Sequence, residues 1–217
     1  MASRAVMALS GGMDSTSLLL RLLRDGHRVT CISYLYGQKH VIEIERSKEN
    51  IGRLQSLGFM VEQKIIDLTS AMGSFHSALT NHDSDVPEGH YEEEQMKQTV
   101  VPNRNAIFSS ILYGQALSVS MAEDTEVIIA LGVHSGDHTI YPDCRPEFYD
   151  ALSAAFALGN WEAEKVSFDL PYVNGDKKTI LEDAMLSCDI LDLDFDTIMG
   201  STMTSYNPDG FGRSNGK

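Results

Sequence analysis

The chain has 217 residues, 42% of them hydrophobic, which suits one globular domain spanning 1–217 and excludes wholesale disorder. A formal net charge of −14, from 31 acidic and 17 basic residues, disfavours a nucleic-acid partner, because phosphate backbones need a basic patch. The three scattered cysteines, Cys31, Cys144 and Cys188, form no Cys-x-x-Cys pair and argue against a disulfide framework.

With only a short apolar run at the N-terminus, a cytoplasmic protein is expected. The longest uncharged stretch, 105–122, carries Asn105, Gln115 and four serines. It reads as a buried helix and not as a membrane span.

In chain order, apolar β-branched runs alternate with helical patterns. A strand is predicted over 4–9 and a helix over 14–24, with leucines at 18, 19, 22 and 23 on one face. A strand follows at 27–34, then a helix at 43–57 closed by Gly58, then a strand at 59–66. Further helices are predicted at 105–122, 147–158 and 178–188, and further strands at 126–131 and 165–170. The alternation predicts an α/β fold, a doubly wound, Rossmann-like parallel sheet with helices on both faces. Ligands in such sheets bind beyond the carboxyl ends of the strands. That rule selects Ser10, Tyr36, the segment after Leu131 and the segment after Leu170. The polar stretch 80–97, with glutamates at 92–94, reads as a solvated loop, with a lid over the site as the alternative.

The segment Leu9-Ser10-Gly11-Gly12-Met13-Asp14-Ser15-Thr16 joins the first strand to the first helix. Its two glycines permit a sharp turn and close approach to a polyanion. The free N–H groups and dipole of the helix start attract phosphate. Ser10, Ser15 and Thr16 offer hydroxyls. Asp14 is itself negative, which makes sense if it holds Mg²⁺ bridging to phosphates. The structural alternative is a glycine turn with Asp14 as a helix cap. The segment is neither a Walker A loop nor a Gly-x-Gly-x-x-Gly fingerprint. It resembles the Ser-Gly-Gly-x-Asp-Ser loop of the PP-loop ATP pyrophosphatases. That resemblance implies ATP as cosubstrate, cleavage between the α and β phosphates, and adenylation of an acceptor.

Three later segments narrow the resemblance: Tyr36-Gly37-Gln38-Lys39-His40, Val101-Pro102-Asn103-Arg104-Asn105, and 132–138 leading into Tyr141-Pro142-Asp143-Cys144-Arg145-Pro146-Glu147-Phe148. Together with the loop, and over nearly the whole chain, they resemble the 7-cyano-7-deazaguanine synthase family. The family resemblance implies an ATP-dependent C–N ligase that converts 7-carboxy-7-deazaguanine and ammonia to the nitrile through an amide. It implies a deazaguanine site among Tyr36, Gln38, Tyr141, Asp143, Arg145, Glu147 and Phe148. A carboxylate suits the N–H edge, an aromatic ring suits stacking, and Arg145 suits the substrate carboxylate. Lys39 and Arg104 would face phosphates. His40, His134 or His138 would take a proton from ammonium. Asp137 would be a second Mg²⁺ ligand. Each has a bland alternative: Asp143 paired with Arg145, Glu147 in a helix first turn after Pro146, Phe148 in the core, a histidine capping a loop, and Cys144 simply buried.

Members of the family usually carry four C-terminal cysteines that hold zinc. Here Ser205 and Asn215 stand at the first two positions, so no zinc is expected. The C-terminal appendage, 195–217, would then be fixed otherwise, with a homodimer expected. The departure leaves open whether the product is the amide, the nitrile or a conjugate with a protein amine, as in a defence cassette. A tRNA-modifying relative is disfavoured by the net charge. A degenerate nucleotide-binding module is disfavoured by the intact loop.

Overall fold

The computed structural model describes residues 3–37, 42–75, 100–138 and 141–202. Among them, five strands form one parallel sheet: β1 (Arg4–Ala8), β2 (Arg28–Leu35), β3 (Val61–Asp67), β4 (Val127–Ala130) and β5 (Val166–Asp169). Their order is β3-β2-β1-β4-β5. β1 is central, with Arg4 opposite Arg28 of β2 on one side and opposite Val127 of β4 on the other. Its apolar run from Ala5 to Ala8 follows from burial on both faces. Ala5 and Met7 enter one core cluster and Val6 the other.

The helices are α1 (Met13–Arg24), α2 (Ile42–Ser56), α3 (Thr69–Met72), α4 (Arg104–Glu123), α5 (Pro146–Gly159), α6 (Lys177–Ile190) and α7 (Phe195–Met199). Leucines of α1, Ile51 and Leu54 of α2, Ile180 and Ala184 of α6, and Ile198 of α7 build the core on one face of the sheet. Leu112, Tyr113 and Ala116 of α4 and Tyr149 of α5 build the other. The fold is therefore doubly wound, and the long elements fall within a residue or two of their sequence-based bounds.

The short helices α3 and α7 were not legible, because four or five residues carry no usable period. α7 starts the region 195–217, and Ile198 and Met199 are buried in the core. Residues 203–217, with Ser205 and Asn215, lie outside the described residues, as does 80–97. No helix among the described residues is long and apolar enough to cross a membrane.

The chain steps outward through β2 and β3, then returns to place β4 on the opposite side of β1. The crevice beyond the carboxyl ends of β1 and β4 is the switch point, where such sheets bind ligands.

Candidate functional site

A cleft of about 320 Å³ opens at that switch point. Its floor is the loop after β1. Leu9 is buried, and its N–H donates to the Ile32 carbonyl at 2.9 Å, which prolongs the ladder by one bond. Gly11 then takes φ +90°, and Gly12 caps α1. A Cβ at Gly11 would lie 2.4 Å from the Glu43 carbonyl oxygen.

Ser10 and Ser15 shape the turn from inside. The Ser10 N–H donates to Ser15 Oγ at 3.2 Å, Ser15 Oγ donates to the Gly12 carbonyl at 3.2 Å, and Gly12 N–H donates to Ser10 Oγ at 3.3 Å. Ser10, Gly12, Met13, Asp14 and Ser15 all line the cleft. Thr16 is buried and is not part of the lining.

Two residues absent from the sequence-based set complete this floor. Lys177, the first residue of α6, donates from Nζ to Asp14 Oδ2 at 2.6 Å. Glu43, in the first turn of α2, lines the cleft, and burial pushes its carboxyl up to about 7.

His134 is buried beside the pair. Its Nδ1 accepts from the Gly136 N–H at 3.1 Å, so the neutral ring carries its proton on Nε2, which lies 3.8 Å from Asp14 Oδ2. Gly132 lets this loop approach α1 closely, since a Cβ there would lie 3.3 Å from the Asp14 carbonyl oxygen.

The field in the cleft opposes the overall charge of the chain. The starts of α1, α4 and α6 all face it, and with them Arg104 and Lys177. Helix N-termini and cations together attract an anion even in an acidic protein.

One wall is aromatic. Tyr34 stacks on Phe108 with centroids 4.0 Å apart and planes 9° apart, and Tyr36 meets Phe108 edge-on at 5.4 Å. Such a wall suits a flat heterocycle. Arg104 stands across from Tyr141, its guanidinium carbon 5.8 Å from the ring centroid.

The segment from Tyr141 to Phe148 lies next to the cleft, against Arg104 and Asn105. Asp143 accepts from the Asn105 N–H at 3.3 Å, and Asn105 Nδ2 donates to the Asp143 carbonyl. Asp143 thereby satisfies the start of α4, where Asn103 is left-handed and supplies no side-chain cap. Arg145 donates from Nε to the His138 carbonyl at 2.8 Å. Glu147 is exposed in the first turn of α5, Phe148 packs on Tyr149, and Tyr141 and Cys144 are buried together. None of these lines the cleft. His138 is likewise outside the lining. Gln38, Lys39 and His40 lie outside the described residues, and so does the side chain of Asp137.

Asp14 suits a hard cation. Its Oδ1 is buried and accepts no hydrogen bond, so the carboxylate keeps one oxygen without a donor.

A second layer holds Lys177 over the loop. Asp14–Lys177, Arg21–Asp183 and Arg24–Ser187 are separated by 163, 162 and 163 residues, so α1 and α6 run side by side in the same direction. Asp183 is the centre of the seam. It accepts from Arg24 Nη1 at 2.6 Å, from Arg21 Nη1 at 3.3 Å and from the Tyr172 hydroxyl at 2.6 Å. Burial pushes the Asp183 carboxyl up, but these donors and the two arginine charges outweigh it and hold the group below the ordinary carboxylate value.

Asp183→Ala leaves Arg24 with only Asp25 and Ser187 and leaves the buried Tyr172 hydroxyl without its acceptor, and a cost of about 3 kcal/mol is expected. Thermal melting should show a fall of roughly 6–12 °C. The depressed pKa makes this contribution complete above the unfolded-state value and lost as pH falls through the folded one. The gap between wild type and variant should therefore close in acid. A shift within 2 °C at neutral pH, against the roughly 2–4 °C per kcal/mol expected at this size, would remove Asp183 as the centre of the seam.

The family described as "Queuosine biosynthesis protein QueC" matches residues 4–216. The chain belongs to the QueC family. It is 38% identical over 207 residues to the 7-cyano-7-deazaguanine synthase of Pseudoalteromonas translucida, covering 95% of this chain and 86% of that one. It is 43% identical over 178 residues to that of Caldicellulosiruptor bescii, covering 82% and 75%. Among solved structures, a 4-thiouridine synthetase crystallised with RNA and ATP shares the fold, with TM-score 0.51 and 16% identity over 87% of this chain and 42% of that one. The PP-loop architecture of this QueC member is thus a property of its sheet order and first loop, held at very low sequence identity.

Proposed function

We propose that the chain uses ATP to adenylate the carboxylate of 7-carboxy-7-deazaguanine, and that an amine then displaces AMP to give the amide, with the nitrile as the further product. The observation that carries this reading is the glycine loop at the switch point, with Asp14 held by Lys177 over it and an aromatic wall opposite. The relatives are named for 7-cyano-7-deazaguanine, which supports a deazaguanine ligand for the cleft.

A carboxylate is a poor electrophile. Adenylation converts one oxygen into part of a good leaving group, and the protein's task is positioning and charge stabilisation. In this reading the loop N–H groups and Lys177 receive the polyphosphate. Arg104 balances charge at the far side, and Tyr34, Tyr36 and Phe108 receive the ring. Asp14 would hold Mg²⁺, which supplies charge neutralisation on the phosphates. His134 orients the Asp14 carboxylate from behind.

Mass spectrometry on purified protein with MgATP and 7-carboxy-7-deazaguanine, with and without ammonium, tests the proposal. AMP and pyrophosphate should appear only with the carboxylate, and amide or nitrile only with ammonium. Carboxylate-dependent AMP without ammonium use would redirect the acyl transfer to another amine, including one on a protein. No ATP cleavage with this carboxylate would sink the substrate assignment.

A further inference from the structure

We propose that Glu43 is the proton acceptor of the amine step, taking the proton that leaves the nitrogen when an amine attacks the adenylated carboxyl carbon. This rests on the adenylation reading given above.

The step needs such a group. The amine nitrogen forms a bond to the carbonyl carbon. The carbon–oxygen bond to AMP breaks, and its electron pair departs with the phosphate oxygen. The nitrogen, now positively charged, sheds one proton, which a group in the cleft must receive.

Among the described residues the cleft offers few receivers. Lys177 and Arg104 offer donors and no acceptor. Burial pushes the hydroxyls of Tyr34 and Tyr149 up, so they hold their protons. Asp14 is engaged by Lys177 at 2.6 Å and faces His134. His134 itself is outside the cleft lining, with Nδ1 already accepting from Gly136.

Glu43 remains. It lines the same cleft as Asp14, Arg104 and Lys177. Its main chain is braced against the phosphate loop, where the carbonyl oxygen fills the space that a Cβ on Gly11 would need. The main chain of Glu43 is therefore a fixed point beside the loop. Among the described residues no ion pair or hydrogen bond engages that carboxyl, Arg46 one turn along the helix included. Glu45, the other acid of the first turn, is paired with Lys48 at the surface. A first-turn carboxylate is ordinarily stabilised in its charged form by the helix dipole. Here burial prevails and lifts the group to about 7, where it both accepts and returns a proton at neutral pH.

Glu43→Gln keeps the shape and removes the base. Two quantities are read on the folded variant with MgATP and 7-carboxy-7-deazaguanine: carboxylate-dependent ATP–pyrophosphate exchange, and amide formation with ammonium. The ratio of amide formation to exchange should fall about 10²-fold or more at neutral pH. The acid limb of the wild-type amide rate near pH 7 should be absent. Glu43→Asp, which restores a carboxylate, should recover part of the ratio and show an acid limb again.

Exchange and amide formation falling together in folded E43Q would overturn the proposal and place Glu43 with the nucleotide. An unchanged ratio and an intact acid limb would overturn it as well. Wild-type protein that lacks exchange with this carboxylate would instead sink the adenylation reading, and this proposal with it.

Discussion

Gly11→Ala is expected to abolish measurable ATP binding while leaving a folded protein. Two independent terms act at this position. A φ of +90° is strained for any L side chain, at a cost of about 1–3 kcal/mol. The new methyl group would also meet the Glu43 carbonyl oxygen at 2.4 Å. That oxygen belongs to the first turn of α2 and cannot rotate aside as a flexible side chain would. Relief requires the loop to lift or α2 to withdraw, and either breaks the short bonds among Ser10, Gly12 and Ser15 that hold the turn. Calorimetric titration should show ATP affinity weakened by two orders of magnitude or more, the equivalent of about 3 kcal/mol. Gly132→Ala is the graded comparison. Its methyl group would lie 3.3 Å from the Asp14 carbonyl oxygen, so a milder loss is expected. Wild-type affinity in the Gly11 variant would mean that the polyphosphate does not use this loop.

Asp14→Ala should separate binding from turnover. The wild-type carboxylate neutralises Lys177 in the empty cleft, so an incoming phosphate must compete with it. Without Asp14 the lysine is released, the local charge becomes more positive by one unit, and ATP without Mg²⁺ should bind more tightly than to wild type. Turnover should nevertheless fall by on the order of 10²–10³, the loss typical of removing one preorganised electrostatic group from a reacting centre. Isothermal titration with and without Mg²⁺, set beside pyrophosphate release, reads both effects. Retained turnover would remove the magnesium role, and weakened Mg²⁺-free binding would remove the competition between Asp14 and the phosphates.

The sheet was legible in the sequence for a physical reason. Its central strands β1 and β4 are buried on both faces and read as short apolar runs, and the helices between the strands carry clear faces of leucine and isoleucine. The phosphate loop was legible because its geometry is local: a strand end, two glycines and a helix start within seven residues.

Lys177 and Glu43 belong to the same floor but arrive by tertiary packing. Lys177 lies 163 residues from its partner. One local sign marked it. Two consecutive lysines open α6, where the helix dipole disfavours cations, although Asp176 caps the helix well by accepting from Thr179 N–H at 2.8 Å. Glu43 gave no such sign, since an acid in a first turn is ordinary and only the fold buries it.

The Asp143 to Phe148 segment shows the converse. Asp143 accepts the Asn105 N–H, where left-handed Asn103 leaves α4 without a side-chain cap of its own. A capping need created 38 residues away is not written in the capping residue's own neighbourhood.

The parallel seam between α1 and α6 also sets a timetable. Ribosomal synthesis delivers Asp14 of the glycine loop and, 163 residues later, its lysine. At about 5–20 residues per second, roughly 8–30 s pass between them. During that interval Leu19, Leu22 and Leu23 lack the α6 residues Ile180 and Ala184 that share their core cluster, and Asp14 has no counter-charge. The nascent chain therefore carries the loop well before its partners. The pairing of Asp14 with Lys177 closes only after the helix that completes the seam has emerged.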